Sequence, residues 1–156
     1  MNSNFSFSAL LQHLEAGTSA WPAIFPDQNH MDMVMRAYIE NINNPDPEFY
    51  SKYVAENLTG EDPVGSMSSD SDNYVPDFAQ SLKQLIDVPF TPKKAEIIAP
   101  IRFSLKNEAA MAFKFWAEID GRNISIDIID VMTFDETGKI CNIKAYWGVD
   151  NVTLLD

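Results

Sequence analysis

The run Ile124-Ser125-Ile126-Asp127-Ile128-Ile129-Asp130-Val131-Met132-Thr133-Phe134 constrains this chain more than any other segment. It is rich in β-branched residues and reads as a strand, whose successive side chains point to opposite faces. The even-numbered face is then Ile124, Ile126, Ile128, Asp130, Met132 and Phe134, five apolar groups and one carboxyl. An ionised carboxylate is costly to bury, so an acid on this face should be neutralised by a raised pKa. A neutral acid in an apolar wall is a hydrogen-bond donor, which is what stabilising a developing oxyanion requires. The alternative is a structural acid satisfied by the protein around it.

Three further segments read as strands, Ala95 to Ser104, Ala110 to Ile119 and Ile140 to Trp147. Asp120-Gly121 is a tight hairpin signal, and Asp135 to Gly138 a second turn. Met111, Phe113, Phe115 and Ile119 share one parity, as do Cys141, Ile143, Ala145 and Trp147, so each strand has one apolar face. Upstream, Met31, Val34, Met35, Tyr38 and Ile42 recur at helical spacing between Gln28 and Asn43. A short helix is expected from an Asp46 cap to Val54, with Pro47 at its first position, and then a short strand running into a turn at Asp62-Pro63. A third helix, Val75 to Ile86, should bury Val75, Phe78, Leu82 and Leu85. Phe5 to Glu15 carries a looser apolar stripe. Residues 1–28 read as an N-terminal extension and 29–156 as the domain proper. Helices first and strands later imply an α+β fold, a curved sheet wrapped around about three helices.

Charge and composition narrow the partners. With 156 residues there is room for one domain with a real core. The net charge of -12 argues against nucleic acid or an anionic membrane, both of which reward a basic patch. One cysteine, Cys141, allows no intrachain disulfide. No apolar run approaches the roughly 20 residues that span a bilayer, and no basic start suggests a secretory signal, so a cytoplasmic protein is expected. His13 and His30 have no neighbours at metal-ligand spacing and read as surface or cap residues. No metal site, nucleophile elbow or phosphate-binding glycine loop is found.

Two residues join Asp130 as candidates. Asp62 sits in the Asp-Pro turn, a common turn pair in its own right. Tyr38 lies on a buried helical stripe, where a tyrosine is ordinarily core. A solvent-side carboxylate could act as base, and a phenol with a neutral acid could hold an oxyanion.

These residues also carry a family resemblance. Glu61-Asp62-Pro63-Val64-Gly65 resembles the E-D-P-[VF]-G signature of bacterial Δ5-3-ketosteroid isomerases. Arg36-Ala37-Tyr38-Ile39-Glu40 is similar to their first-helix segment with its catalytic tyrosine. Ile128 to Gly138 resembles the strand bearing their oxyanion-hole aspartate, and Lys144 to Asn151 their closing strand. The resemblance spans residues 30–152, with its motifs in order and a Tyr38–Asp62 spacing of 24 that needs no gap.

The resemblance implies a cone-shaped mixed sheet like that of nuclear transport factor 2. It implies isomerisation of a β,γ-unsaturated 3-ketosteroid through a dienolate, with Asp62 as base and Tyr38 and protonated Asp130 as oxyanion donors. Phe78, Phe113, Phe115, Met132 and Trp147 would line the steroid pocket, although each could equally be plain core. No cofactor and no metal are implied, and a homodimer is. The alternatives are another enzyme on the same scaffold (a cyclase, dehydratase or hydrolase) or a non-catalytic binder of an apolar small molecule. One departure is Ala79, in place of a tyrosine that in the family hydrogen-bonds the catalytic phenol.

Overall fold

The computed structural model describes residues 6–17, 26–66 and 74–155. Its centre is the hairpin of β4 (Glu108–Ile119) and β5 (Arg122–Phe134), paired without a break from Glu108↔Thr133 to Ile119↔Arg122. Asp120 and Gly121 close it with φ of 49° and 81°, the two positive angles that a tight turn matching strand twist requires. The parity reading of β5 holds. Ile124, Ile126, Ile128, Asp130, Met132 and Phe134 are all buried, whereas Asp127 and Ile129 are exposed.

The other strands extend from this hairpin. They are β1 (Val54–Glu61), β2 (Phe90–Ile97), β3 (Arg102–Phe103), β6 (Ile140–Tyr146) and β7 (Val152–Leu154). The sheet order is β1-β6-β5-β4-β2, with β3 beside β4 and β7 beside β5. Only β1 and β6 pair in parallel, which makes the sheet mixed. Three helices, α2 (Gln28–Asn43), α3 (Phe49–Tyr53) and α4 (Phe78–Leu85), pack against it. Helix α1 (Phe7–Ala16) buries none of its residues. Residues 18–25 of the expected N-terminal extension lie outside the described residues.

Helix α2 matches its expected bounds. Asp27 caps it by accepting from the His30 amide at 2.8 Å, and Met31, Val34, Met35 and Ile39 turn into the core. Each such apolar side chain contributes roughly 1.5–3 kcal/mol when fully buried. At its end Asn43 exchanges two hydrogen bonds, of 2.9 and 2.8 Å, with the backbone of Ala95, so the helix is pinned to strand β2. His30 is not a simple surface residue. Its Nε2 lies 2.7 Å from the Gly138 carbonyl, and its ring meets Phe134 edge-on.

Several boundaries differ from expectation for local reasons. Helix α3 starts at Phe49, because Asp46 accepts from the Glu48 amide and turns Pro47 outside the helix. Helix α4 starts at Phe78 under an Asp77 cap, which leaves Val75 62% exposed, and at the other end Leu85 is 39% exposed. Its second buried residue is Ser81 rather than an apolar one. The single strand expected from Ala95 to Ser104 is two, β2 and β3, interrupted around Ile98 to Ile101. In β6 a register shift opposite Thr133/Phe134 places Ile140 in the core and leaves Cys141 half-buried, so the parity assigned to Cys141 was wrong. The closing β7 was not anticipated.

Gly60 fixes how β1 approaches β6. Its φ is 154°, and a Cβ there would overlap the carbonyl oxygen of Ile143. Gly60→Ala should therefore destabilise the protein by about 2–4 kcal/mol in urea unfolding, through overpacking and backbone strain together. Gly17→Ala is the comparison. Its φ is 69° with open space at the Cβ position, so it should cost only about 1 kcal/mol.

Candidate active site

Strand pairing decides the surroundings of Asp130. Its cross-strand neighbours are Met111 on β4 and Ala145 on β6, both buried apolar residues. The side chain is 2% exposed, and its Oδ1 has no hydrogen-bond partner. Burial pushes the Asp130 carboxyl well above the usual carboxylate range, and the charge of Asp62 adds to the effect. The sequence argument named the face correctly. The missing partner argues against an acid satisfied within the fold.

Asp62 follows directly on β1. The turn after it is tied back to the sheet where the Val64 amide donates to the Ala145 carbonyl at 2.8 Å. The Trp147 indole, one residue beyond β6, donates from Nε1 to Asp62 Oδ1 at 2.7 Å. Asp62 remains partly open to solvent, as expected of a turn residue. It is half-buried, and burial raises its pKa while the indole bond holds it down. The two aspartates therefore stand in different environments, one with a donor and one with none.

Tyr38 completes the set from helix α2. Its ring packs on Phe49, centroids 6.1 Å apart, and Phe49 also touches Tyr50 and Tyr53. Burial drives the phenol well above its ordinary pKa, with further contributions from the charges of Asp130, Asp62 and Tyr50 in that order. A neutral phenol is a donor at neutral pH. Asp130 and Asp62 both contribute to the raised Tyr38 pKa and Asp62 to that of Asp130, which sets within electrostatic reach three side chains that come from α2, the end of β1 and the middle of β5.

The proposed lining residues divide. Met132 is fully buried one step along the inner face from Asp130, and Phe113, 3% exposed, pairs with Ile128 one step the other way. Phe115 is half-buried a further step out, where it stacks on Phe90 at 6.1 Å. Phe78, 8% exposed, opens α4. Trp147 is half-buried and is engaged with Asp62 rather than serving only as a wall. Ala79 is exposed on α4.

Sequence reasoning did not single out Phe49, Met111 or Ala145. The parity that marked Phe113 and Ile143 also marked the last two. A cleft of about 400 Å³ borders Trp147, with Ile98, Ala112, Ile129 and Tyr146 in its wall. Another, of about 260 Å³, lies at Arg102, Phe103 and Val131, and neither cleft is lined by Tyr38, Asp62 or Asp130. Among the described residues no three His, Cys, Asp or Glu side chains are grouped to hold a metal ion, and no helix is long and apolar enough to cross a membrane.

The fold has known counterparts. The chain is similar to a Δ5-3-ketosteroid isomerase from Mycobacterium sp., with a TM-score of 0.60, 17% identity, and 81% of this chain and 98% of that one covered. It is similar to an epoxide hydrolase/cyclase-like enzyme of pyran ring formation in the polyether salinomycin, with a TM-score of 0.56, 21% identity, and coverage of 82% and 97%. A computationally designed 17-OHP binder also matches, with a TM-score of 0.60, 16% identity, and coverage of 81% and 98%. No protein-family model matches the chain. At these identities the likeness establishes the architecture, the cone of nuclear transport factor 2-like proteins, which hosts several activities.

The raised Asp130 pKa has a thermodynamic sign. A carboxyl whose pKa is higher folded than unfolded binds more protons in the native state, so stability falls as pH rises through that interval. The loss begins near the ordinary value of about 4 and ends at the raised folded value. Asp62 acts in the same direction. Urea unfolding across pH should show this decline in the wild type and a flatter curve for Asp130→Asn. Equal slopes would mean that Asp130 ionises normally.

Proposed function

We propose that the protein isomerises a β,γ-unsaturated 3-ketosteroid to its conjugated form by intramolecular proton transfer. The observation that carries this reading is the buried Asp130, with Oδ1 unpartnered, within electrostatic reach of Tyr38 and of an indole-bound Asp62. Asp62 removes a proton from carbon 4. The electron pair of that C–H bond moves through the carbonyl to leave a dienolate with negative charge on the 3-oxygen. Tyr38 and protonated Asp130 donate hydrogen bonds to that oxygen, strengthening as the charge develops. Asp62 then returns its proton at carbon 6, so no proton is lost and no redox change occurs.

The two electrostatic environments suit these tasks. Burial brings the Asp62 pKa upward, nearer to working pH, which improves a base that must also release its proton. Burial without a partner keeps Asp130 a donor. Met111, Phe113 and Met132 surround that position with hydrocarbon, as an apolar ligand needs. The likeness to a ketosteroid isomerase and to a designed 17-OHP binder supports an apolar small molecule of this kind.

Conversion of 5-androstene-3,17-dione, followed by the ultraviolet absorbance of the conjugated enone, tests the assignment. Asp62→Asn should lower kcat by about 10²–10⁴-fold or more, the range of general-base catalysis. Tyr38→Phe and Asp130→Leu should each cost about 10²–10³-fold, as for one lost oxyanion donor. Steroid binding with no conversion by the wild type would indicate a binder. Neither binding nor conversion would point to another apolar substrate, as the cyclase-like neighbour suggests.

A separate expectation concerns Trp147→Phe, which keeps an aromatic wall and removes the indole donor. The Asp62 pKa should rise, moving the acid limb of the kcat/KM profile to higher pH. An unmoved limb would mean that the indole bond does not tune the base.

A further inference from the structure

Ser81 is the one fully buried polar residue on helix α4, at 0% exposure. A buried hydroxyl needs acceptors, and among the described residues it reaches the Gly60 carbonyl at 2.9 Å and the Asp77 carbonyl at 3.1 Å. The second is the intrahelical contact open to any helical serine. The first crosses to strand β1 and lands two residues before Asp62. The same short stretch is held again where the Gly60 amide donates to the Pro76 carbonyl at 3.0 Å and Thr59 bridges Asp77. On its other side Gly60 is pressed so closely on Ile143 of β6 that no Cβ fits. The last turn of β1 is thus clamped between α4 and β6.

We infer that Ser81 is a positioning residue for Asp62, fixing through the Gly60 carbonyl the strand end from which that carboxylate meets the Trp147 indole. This deepens the reading above, because it says what aims the base. Asp62 itself has no backbone freedom to spare. Gly60 is fastened two residues before it and Val64 two residues after it, the latter to Ala145. Removing the Ser81 hydroxyl leaves the buried Gly60 carbonyl without its side-chain donor and releases the α4 side of the clamp. The carboxylate then drifts from the indole, whose hydrogen bond favours the charged form. Displacements of about 1 Å at a reacting group can cost on the order of 10²-fold in rate. The ionisable groups that share an electrostatic contribution with Asp62 are Asp130 on β5 and Tyr38 on α2.

Carbon-13 carboxyl titration of Ser81→Ala by NMR decides the matter. The Asp62 resonance should titrate at higher pH than in the wild type. If the steroid is converted, kcat should fall about 10-fold or more with KM little changed. Ser81→Cys keeps the size with a weaker donor, and should shift Asp62 in the same direction by less. It also supplies the readout if the alanine variant does not fold. Wild-type Asp62 titration in either folded variant would overturn the inference. The titration needs no turnover, so failure of the isomerase assignment would leave this result separately readable.

Discussion

The structure depends on a carboxyl held in hydrocarbon. Asp130 occupies a position on β5 that strand alternation assigns to the interior, between Met111 and Ala145. The surrounding sheet could have been completed with an apolar residue there at no cost. Keeping an acid requires that it stay neutral, and neutrality turns it from an acceptor of two bonds into a donor of one. The absence of a protein partner for Oδ1 leaves that capacity unspent within the fold.

The second aspartate shows how little sequence chemistry says without environment. Asp62 and Asp130 are the same side chain, and both are shifted upward by burial. Asp62 alone receives an indole hydrogen bond, which favours its ionised form. That one bond separates a group suited to taking a proton from a group suited to sharing one. Tyr38, pushed upward above all by burial, stays protonated over any ordinary working range.

Much of this was legible before the structure, and for a definable reason. Periodicity of two along Ile124 to Phe134 and of three to four along Met31 to Ile42 reports burial directly, so β5 and α2 were read correctly, with Asp130 on the right face. What alternation cannot carry is a change of register. The bulge in β6 exchanged Cys141 for Ile140 in the core, and the interruption after Ile97 split one expected strand into two. Polar residues buried by long-range contacts were equally silent. Ser81 gives no local sign of the Gly60 carbonyl, and nothing near Trp147 announces that its indole reaches Asp62. Asp62 keeps some of the solvent exposure expected of it, but its indole partner could not be read locally, because Trp147 lies over eighty residues away in the chain.

That distance has a consequence for how firmly the parts are held. β4 and β5 are joined by a two-residue turn, so the wall bearing Asp130 is assembled locally. Strand β1 meets β6 in parallel, with Val54 opposite Ile140, which closes a loop of 86 residues (140 − 54). Loop-closure entropy grows with the logarithm of length, so the longer closure costs about 3 kcal/mol more than the turn. The wall that bears Asp130 therefore belongs to the most local part of the chain. The strand end that leads into Asp62 rests on its most distant strand pairing, and local unfolding will loosen the two halves unequally.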